Sequence, residues 1–321
     1  MPILGRHTAQ PNAKCTAFHL AEFRRLRIQY TLDPRILKRQ PTGKESVKEV
    51  IVDTHVHIFD RSTPLLDNKW TPNGEEAPVE ELMRCFSAHG VSHGVISTSS
   101  IYGPYNDYFR QAIARFPQLR ATANMPANSD AYTFEQMSRE GFLGIRLLWR
   151  PLESTPDLTS DTYRRLLRRC ADMGWHVHLT ERPDRMAGTI QALEAAGVRV
   201  VVDHLGMIDT PDGIDNPGFR SILDAVDRGR TWVKLSGAFR FSNPKVAKDA
   251  ARVLVDAGGW DRLMWGSDWP FVGHMNTVTY ADTLAYLSWV PDLSMRRCIA
   301  STTALAFYFA DTTSIPSSGM A

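Results

Sequence analysis

The segment Val52-Asp53-Thr54-His55-Val56-His57 places three polar, metal-competent side chains two residues apart, directly after the apolar run Val50-Ile51-Val52. In an extended strand side chains alternate between faces, so Asp53, His55 and His57 are expected to point the same way. Two imidazoles converging on one point suit a divalent ion such as zinc, or a substrate oxygen that must be polarised. A pair of histidines hydrogen-bonded inside a core is the bland alternative. It is disfavoured because three polar groups on one face of an apolar strand cost several kcal/mol unless something binds them.

Further groups carry the same signature. Asp268, in Gly266-Ser267-Asp268-Trp269-Pro270, follows the apolar run Leu263-Met264-Trp265. A carboxylate delivered at the end of a buried strand can take a proton from water or complete a metal site with His55 and His57, whereas capping the next helix is its competing role. His204 follows Val200-Val201-Val202-Asp203 and has a satisfied core histidine as its rival reading. His176 and His178 share a face by their spacing. His178, nearer the loop end, is the better candidate, and His176 is expected to be structural.

The elements that must position these groups alternate along the chain. Short β-branched runs are expected as strands at Glu49 to His55, His93 to Thr98, Leu119 to Asn124, Leu143 to Leu148, Trp175 to Leu179, Val198 to His204, Thr231 to Ser236 and Arg262 to Trp265. Helices are expected to begin near Val79, Tyr105, Tyr132, Thr159, Asp184, Pro217, Pro244 and Thr277, several at an Asp, Thr or Pro start signal. Strand followed by helix, eight times over, predicts the α/β class and a single-domain (β/α)8 TIM barrel, with an open doubly wound sheet as the rival. In such a barrel functional side chains sit where strands end. His55, His57, Tyr102, Arg146, Arg150, His178, His204, Arg240 and Asp268 all fall at or just after expected strand ends, which predicts one active site at one barrel face.

Length and composition set the outer limits. The chain has 321 residues, 43% hydrophobic and 22% charged, ordinary values for a folded globular protein. The net charge of +2 hides an asymmetry: residues 1 to 50 carry ten Lys/Arg against four Asp/Glu, leaving 27 against 31 for the remainder. Residues 1–48 are expected to be a basic, partly ordered extension, 49–310 the barrel, and 311–321 a flexible tail. The leader, with Arg24, Arg25, Arg27, Lys38 and Arg39, reads as a solvated extension and not as a nucleic-acid arm. The loop from Ile58 to Pro78 is long, and folding over the site and lying on the surface are both compatible with its sequence. Cys15, Cys85, Cys170 and Cys298 are far apart with no CxxC pair, as expected of reduced thiols in the cytoplasm. The start Met1-Pro2-Ile3-Leu4-Gly5-Arg6-His7 lacks a secretory apolar region, and no apolar run approaches the roughly 20 residues that span a bilayer. No GxxxxGK[ST] or GxGxxG pattern is present and no GxSxG elbow follows an expected strand, Gly90-Val91-Ser92-His93-Gly94 leading into one instead, so serine-hydrolase and nucleotide chemistry lose support.

Taken together, DTHVH (Asp53–His57), GIRLL (Gly144–Leu148), DHLG (Asp203–Gly206), KLSGAFR (Lys234–Arg240) and WGSDWP (Trp265–Pro270) resemble the amidohydrolase superfamily. Within it they are most similar to the amidohydrolase-related group that contains 2-pyrone-4,6-dicarboxylate lactonase and sugar lactonases. The resemblance covers about residues 49 to 310. It implies hydrolysis of a C–O or C–N bond by water activated at Asp268, with His55, His57 and His204 polarising the carbonyl or holding a metal. It implies that Arg146, Arg150 and Arg240 bind substrate carboxylates, a task to which guanidinium forks are suited. Tyr102 and His178 complete the expected substrate site. A single divalent ion, zinc first, would take His55, His57, His178 and Asp268; the lactonase itself works without metal, so metal dependence stays open. The superfamily's metal-bridging Lys or Glu is absent from the fourth strand, which ends Arg146-Leu147-Leu148, so a two-metal centre is not expected. Phe271-Val272-Gly273-His274 also departs from the lactonase, which has a polar residue directly after the proline, and this bears on substrate identity.

The expected partner is a small carboxylated lactone, with no nucleic acid and no membrane, and a homo-oligomer is compatible with the sequence. A zinc-dependent decarboxylase similar to aminocarboxymuconate-semialdehyde decarboxylase, a sugar lactonase, and a non-catalytic barrel that binds a small acid are the alternatives.

Overall fold

The computed structural model describes residues 50–66 and 75–310. The expected extension and tail, and the tip of the Ile58 to Pro78 loop, lie outside the described residues. Eight strands, β1 (Val52–Val56), β2 (His93–Ile96), β3 (Leu119–Ala123), β4 (Phe142–Leu148), β5 (His176–Thr180), β6 (Arg199–Val202), β7 (Thr231–Leu235) and β8 (Leu263–Trp265), form one sheet in sequence order. All seven neighbouring pairs are parallel. Between them run α1 (Val79–His89), α2 (Asp107–Arg115), α3 (Ala131–Arg139), α4 (Asp161–Asp172), α5 (Met186–Ala195), α6 (Pro217–Asp227) and α7 (Pro244–Asp256), followed by α8 (Tyr280–Leu284), α9 (Leu293–Arg297) and α10 (Thr303–Tyr308). Eight parallel strands alternating with helices make the nearly closed (β/α)8 barrel that the sequence predicts. No described helix is long and apolar enough to cross a membrane.

The helix starts follow from local chemistry. Asp130 and Ser160 accept backbone N–H groups at the starts of α3 and α4, Asn216 and Asn243 cap helices opened by Pro217 and Pro244, and Thr279 with Asp282 forms a capping box. The expected and observed starts differ most at α8, predicted at Thr277 and found at Tyr280.

The sheet closes where β1 meets the segment after β8. The Asp268 N–H donates to the His55 carbonyl and the His57 N–H to the Trp269 carbonyl, both at 2.8 Å. Gly266 permits this approach, because a Cβ there would lie 2.8 Å from the His55 Cβ. At the strand starts α10 seals the barrel: Ala304, Phe307 and Tyr308 pack with the inward Val52, Val95, Val201 and Met264. The opposite end, where the strands finish, holds the cavity.

One sequence expectation fails at β1. The register against β2 slips by one residue between Asp53 and Val56, so Val52 joins the inner cluster while Val56 joins the outer core. The extra residue breaks the alternation. Asp53 therefore does not share a face with His55 and His57. Its carboxylate is turned to the helix layer, where Tyr280 Oη donates to it at 2.6 Å and the Ser267 N–H at 2.9 Å. Burial pushes its pKa up to about 6.

Candidate active site

Asp268 is the fully buried centre of the cluster. The turn after β8 gives it a left-handed φ of 66°, a conformation that Asp tolerates better than most residues. Three imidazoles face its carboxylate: His57 Nε2 lies 3.2 Å and His55 Nε2 3.7 Å from Oδ1, and His204 Nε2 lies 3.8 Å from Oδ2. The Arg240 Nε completes the shell at 2.5 Å from Oδ2.

Each imidazole has its other nitrogen anchored. His57 Nδ1 lies 2.6 Å from the Ser97 carbonyl, so it carries a proton and donates, leaving Nε2 as an acceptor in the neutral ring. His204 Nδ1 meets Ser236 Oγ at 2.9 Å, and His55 Nδ1 meets Lys234 Nζ at 3.0 Å. β6 ends at Val202, two residues earlier than expected, and the backbone coils through left-handed φ of 51° at His204 and 55° at Leu205, which swings the His204 ring over the barrel mouth.

The electrostatics sort these groups. Burial holds His55 well below its usual pKa, reinforced by the Lys234 charge, and lowers His57, with the nearby Asp268 carboxylate opposing. Burial lowers His204 to about 4 against the pull of Asp268 and Asp203. All three are neutral near pH 7. Burial alone would raise the Asp268 pKa, but Arg240 and the imidazoles outweigh it and hold the carboxyl well below its normal range. Asp203 is likewise held low by Lys234 and Arg146 despite burial.

A cavity of about 260 Å³ opens above Asp268, lined by His57, His204, Tyr102, Arg146, Arg150 and Arg240 together with Phe59, Ile101, Met207 and Val272. Larger grooves of about 770 and 720 Å³ run between outer helices, among Arg164, Arg165 and Arg168 and beside Arg110 and Arg139. They hold no comparable set of imidazoles and carboxylates. Arg146 is anchored by Asp203 at 2.9 Å and the Thr98 carbonyl at 2.7 Å, while Arg150 makes one bond, 3.0 Å to the Met207 carbonyl. Tyr102 contributes a wall, its hydroxyl donating to the Ile58 carbonyl at 3.2 Å.

Of the residues expected at the site, His55 and His178 do not line the cavity: His55 is fully buried directly beneath it, its Nε2 3.7 Å from Asp268 Oδ1, and His178 lies deeper. β5 continues past it to Thr180, so the ring sits one layer deeper, between Lys234 Nζ at 3.0 Å and Tyr308 Oη at 2.9 Å. His176 lies deeper still, among Phe307 and Tyr308, as its structural assignment anticipated. Lys234 and Asp203 were not singled out from the sequence, although both lie at the heart of the cluster. The available signal was a lone charge in the apolar strand Thr231-Trp232-Val233-Lys234-Leu235, and a carboxylate abutting His204.

Among the described residues, two groups of side chains could hold a metal ion: His55, His57 and Asp268, and His55, Asp203 and His204. The first fits better. His55 Nε2 and Asp268 Oδ1 are buried without a hydrogen-bond partner, and a nitrogen-nitrogen-carboxylate set suits zinc. In the second group Asp203 is already engaged by Arg146 and Lys234.

Comparison with known proteins agrees with this geometry. A family model described as Amidohydrolase matches residues 52–310. The 4-sulfomuconolactone hydrolase of Hydrogenophaga intermedia is 29% identical over 232 residues, 70% of this chain and 76% of that protein. The 2-pyrone-4,6-dicarboxylate hydrolase of Comamonas testosteroni is 26% identical over 239 residues, 68% of this chain and 76% of that protein. A solved structure from Pseudomonas putida, described as a 2-pyrone-4,6-dicarboxylic acid hydrolase, superposes with a TM-score of 0.75 at 32% identity, covering 81% of this chain and 97% of that one. With the match running from the first residue of β1 past the end of α10, the chain belongs to the amidohydrolase family.

Proposed function

We propose that this enzyme hydrolyses the ester C–O bond of a small, carboxylated lactone. The observation that carries the reading is the charge balance of the cavity lining: Arg146, Arg150 and Arg240 stand against Asp268, three cations to one anion, while Lys234 and Asp203 pair beneath it. An excess of two positive charges around the cavity favours an anionic substrate, and guanidinium forks match carboxylate geometry. The named activities of the Hydrogenophaga and Comamonas relatives are lactone or pyrone hydrolysis, which supports the same reaction class.

In this mechanism substrate carboxylates dock on Arg150, Arg146 and Arg240. Asp268 removes a proton from water, and the resulting hydroxide attacks the lactone carbonyl. The negative charge that develops on the carbonyl oxygen is met by His55 and His204, neutral rings able to donate without a full charge of their own. Collapse breaks the ring C–O bond, and Asp268 returns its proton to the departing alkoxide, giving a hydroxy acid. Docking a carboxylate on Arg240 also weakens its grip on Asp268 and restores basicity to a carboxylate that is otherwise held too acidic to be a good base. Where an ion is bound, we assign it to His55, His57 and Asp268, with zinc as the fitting metal; it would polarise the lactone carbonyl.

A neutral sugar lactone would leave Arg150, whose partner is a backbone carbonyl, without an anion and the positive excess of the cavity lining unmet, so we rank a sugar lactonase below this reading. Decarboxylation would require the metal group to be filled and CO₂ to be released. We place the enzyme in the cytoplasm, with Cys85, Cys170 and Cys298 as free thiols, and take residues 49–310 as the catalytic domain.

The test is a hydrolysis screen over carboxylated and neutral lactones with metal analysis of the purified protein. Carboxylated lactones are expected to be the better substrates, and Asp268→Asn to lose about 10²–10⁴ in kcat while keeping its fold. Better turnover of neutral sugar lactones, or near-wild-type rates in Asp268→Asn, would overturn the assignment.

A further inference from the structure

Lys234 is the cation of this cluster that does not line the cavity. Its Nζ lies 3.0 Å from His55 Nδ1, 3.0 Å from His178 Nδ1, 3.2 Å from Ser97 Oγ and 3.2 Å from Asp203 Oδ1. An ammonium group has three protons to give and no lone pair to accept with, so a ring nitrogen bonded to it must be the unprotonated one. For His55 the competing arrangement would put the proton on Nδ1 and direct it to Asp203 Oδ1. Those atoms are 3.3 Å apart, and Asp203 Oδ1 receives no well-directed hydrogen bond.

We infer that Lys234 fixes His55 as the tautomer protonated at Nε2 and thereby opposes metal binding at the His55–His57–Asp268 group. A metal-ligating imidazole presents a lone pair to the ion and donates its other N–H, often to a carboxylate. Here the nitrogen facing Asp268 carries a proton. Moving that proton to Nδ1 would set an N–H against the lysine ammonium at 3.0 Å. Without an ion, the same Nε2–H is a buried donor with no partner, aimed into the gap beside Asp268 Oδ1 where the proposed reaction develops charge on oxygen. Lys234 is thus a positioning residue: it touches neither cavity nor substrate and acts through His55. Replacing it by methionine, of similar length and without charge, frees Nδ1 to donate to Asp203, the arrangement a ligand histidine uses.

The inference rests on the Asp268 cluster as the active centre but not on the identity of any lactone, so it is tested without substrate. Full-length protein stripped of metal is titrated with zinc alone by calorimetry, wild type beside Lys234→Met. The variant is expected to bind zinc at least tenfold more tightly. Side-chain ¹H–¹⁵N spectra of the stripped wild type, with His55 assigned by comparison with His55→Gln, are expected to place its proton on Nε2. Equal or weaker zinc affinity in a folded Lys234→Met variant overturns the inference. So does a proton on Nδ1 of His55 in the wild type, a result that decides the matter even where the variant does not fold.

Discussion

Arg240 Nε lies 2.5 Å from Asp268 Oδ2, so the proposed base is ion-paired in the free protein and becomes free only when something else engages the guanidinium. Arg240 also donates to the Val272 carbonyl at 3.1 Å, which holds it at the cavity wall.

The first prediction follows from that pair. In wild type the Asp268 pKa is held well below its ordinary value, so the carboxylate stays ionised far into acid. Removing the guanidinium leaves burial as the dominant influence, and burial raises a carboxyl pKa. Arg240→Met is therefore expected to move the acidic limb of kcat/KM to higher pH and to raise KM for carboxylated lactones. A pH profile from 4 to 8, with circular dichroism at each point to verify folding, checks both effects. An unmoved limb would show that the pair does not govern the base.

Arg150 and Arg146 should behave differently, although both line the cavity. Arg150 is half buried with one backbone partner, so Arg150→Ala is expected to raise KM by roughly ten- to a hundredfold, the worth of a hydrogen bond to a charged group, with little change in kcat. Arg146 pairs with fully buried Asp203, and Arg146→Ala leaves that carboxylate with Lys234 as its remaining cation, at a cost of about 3 kcal/mol in stability, the low end for a broken buried pair. Steady-state kinetics and urea denaturation of the two variants separate the roles.

Gly237 tests how closely His204 must be held. A Cβ at this position would lie 2.6 Å from His204 Nδ1, and φ is +62°. Gly237→Ala is expected to displace the ring and lower kcat by about a hundredfold, the scale of an ångström misplacement at a reacting centre, while strain costs about 1–2 kcal/mol. A variant with unchanged kcat would remove His204 from the mechanism.

His176 offers a pH test away from the chemistry. It is fully buried with no hydrogen-bond partner on either nitrogen, and burial holds its pKa well below 6.5. With the folded pKa depressed, its share of stability is present above pH 6.5 and is lost as pH falls below it, because the unfolded chain takes up the proton first. His176→Leu is therefore expected to lose less stability than wild type between pH 7.5 and 5, read from urea midpoints at the two pH values.

How much of this was legible beforehand depended on range. Alternating strand and helix runs, capped by Asp, Ser, Asn and Pro signals, are local properties, and a parallel βα repeat sends every strand end to one face. That is why His57, Arg146, Arg150, His204, Arg240 and Asp268 could be placed at one mouth, with His55 directly beneath, from the sequence by itself. The tertiary structure decided what depends on neighbours remote in the chain. A register slip against β2 turned Asp53 to the helix layer, the length of β5 set His178 below the cavity, and Lys234 became a partner of His55 across 179 positions. Strand periodicity fixes which side chains alternate. The depth of a side chain in the barrel, and the tautomer and charge it then adopts, are set by non-local packing and by the low dielectric that packing creates.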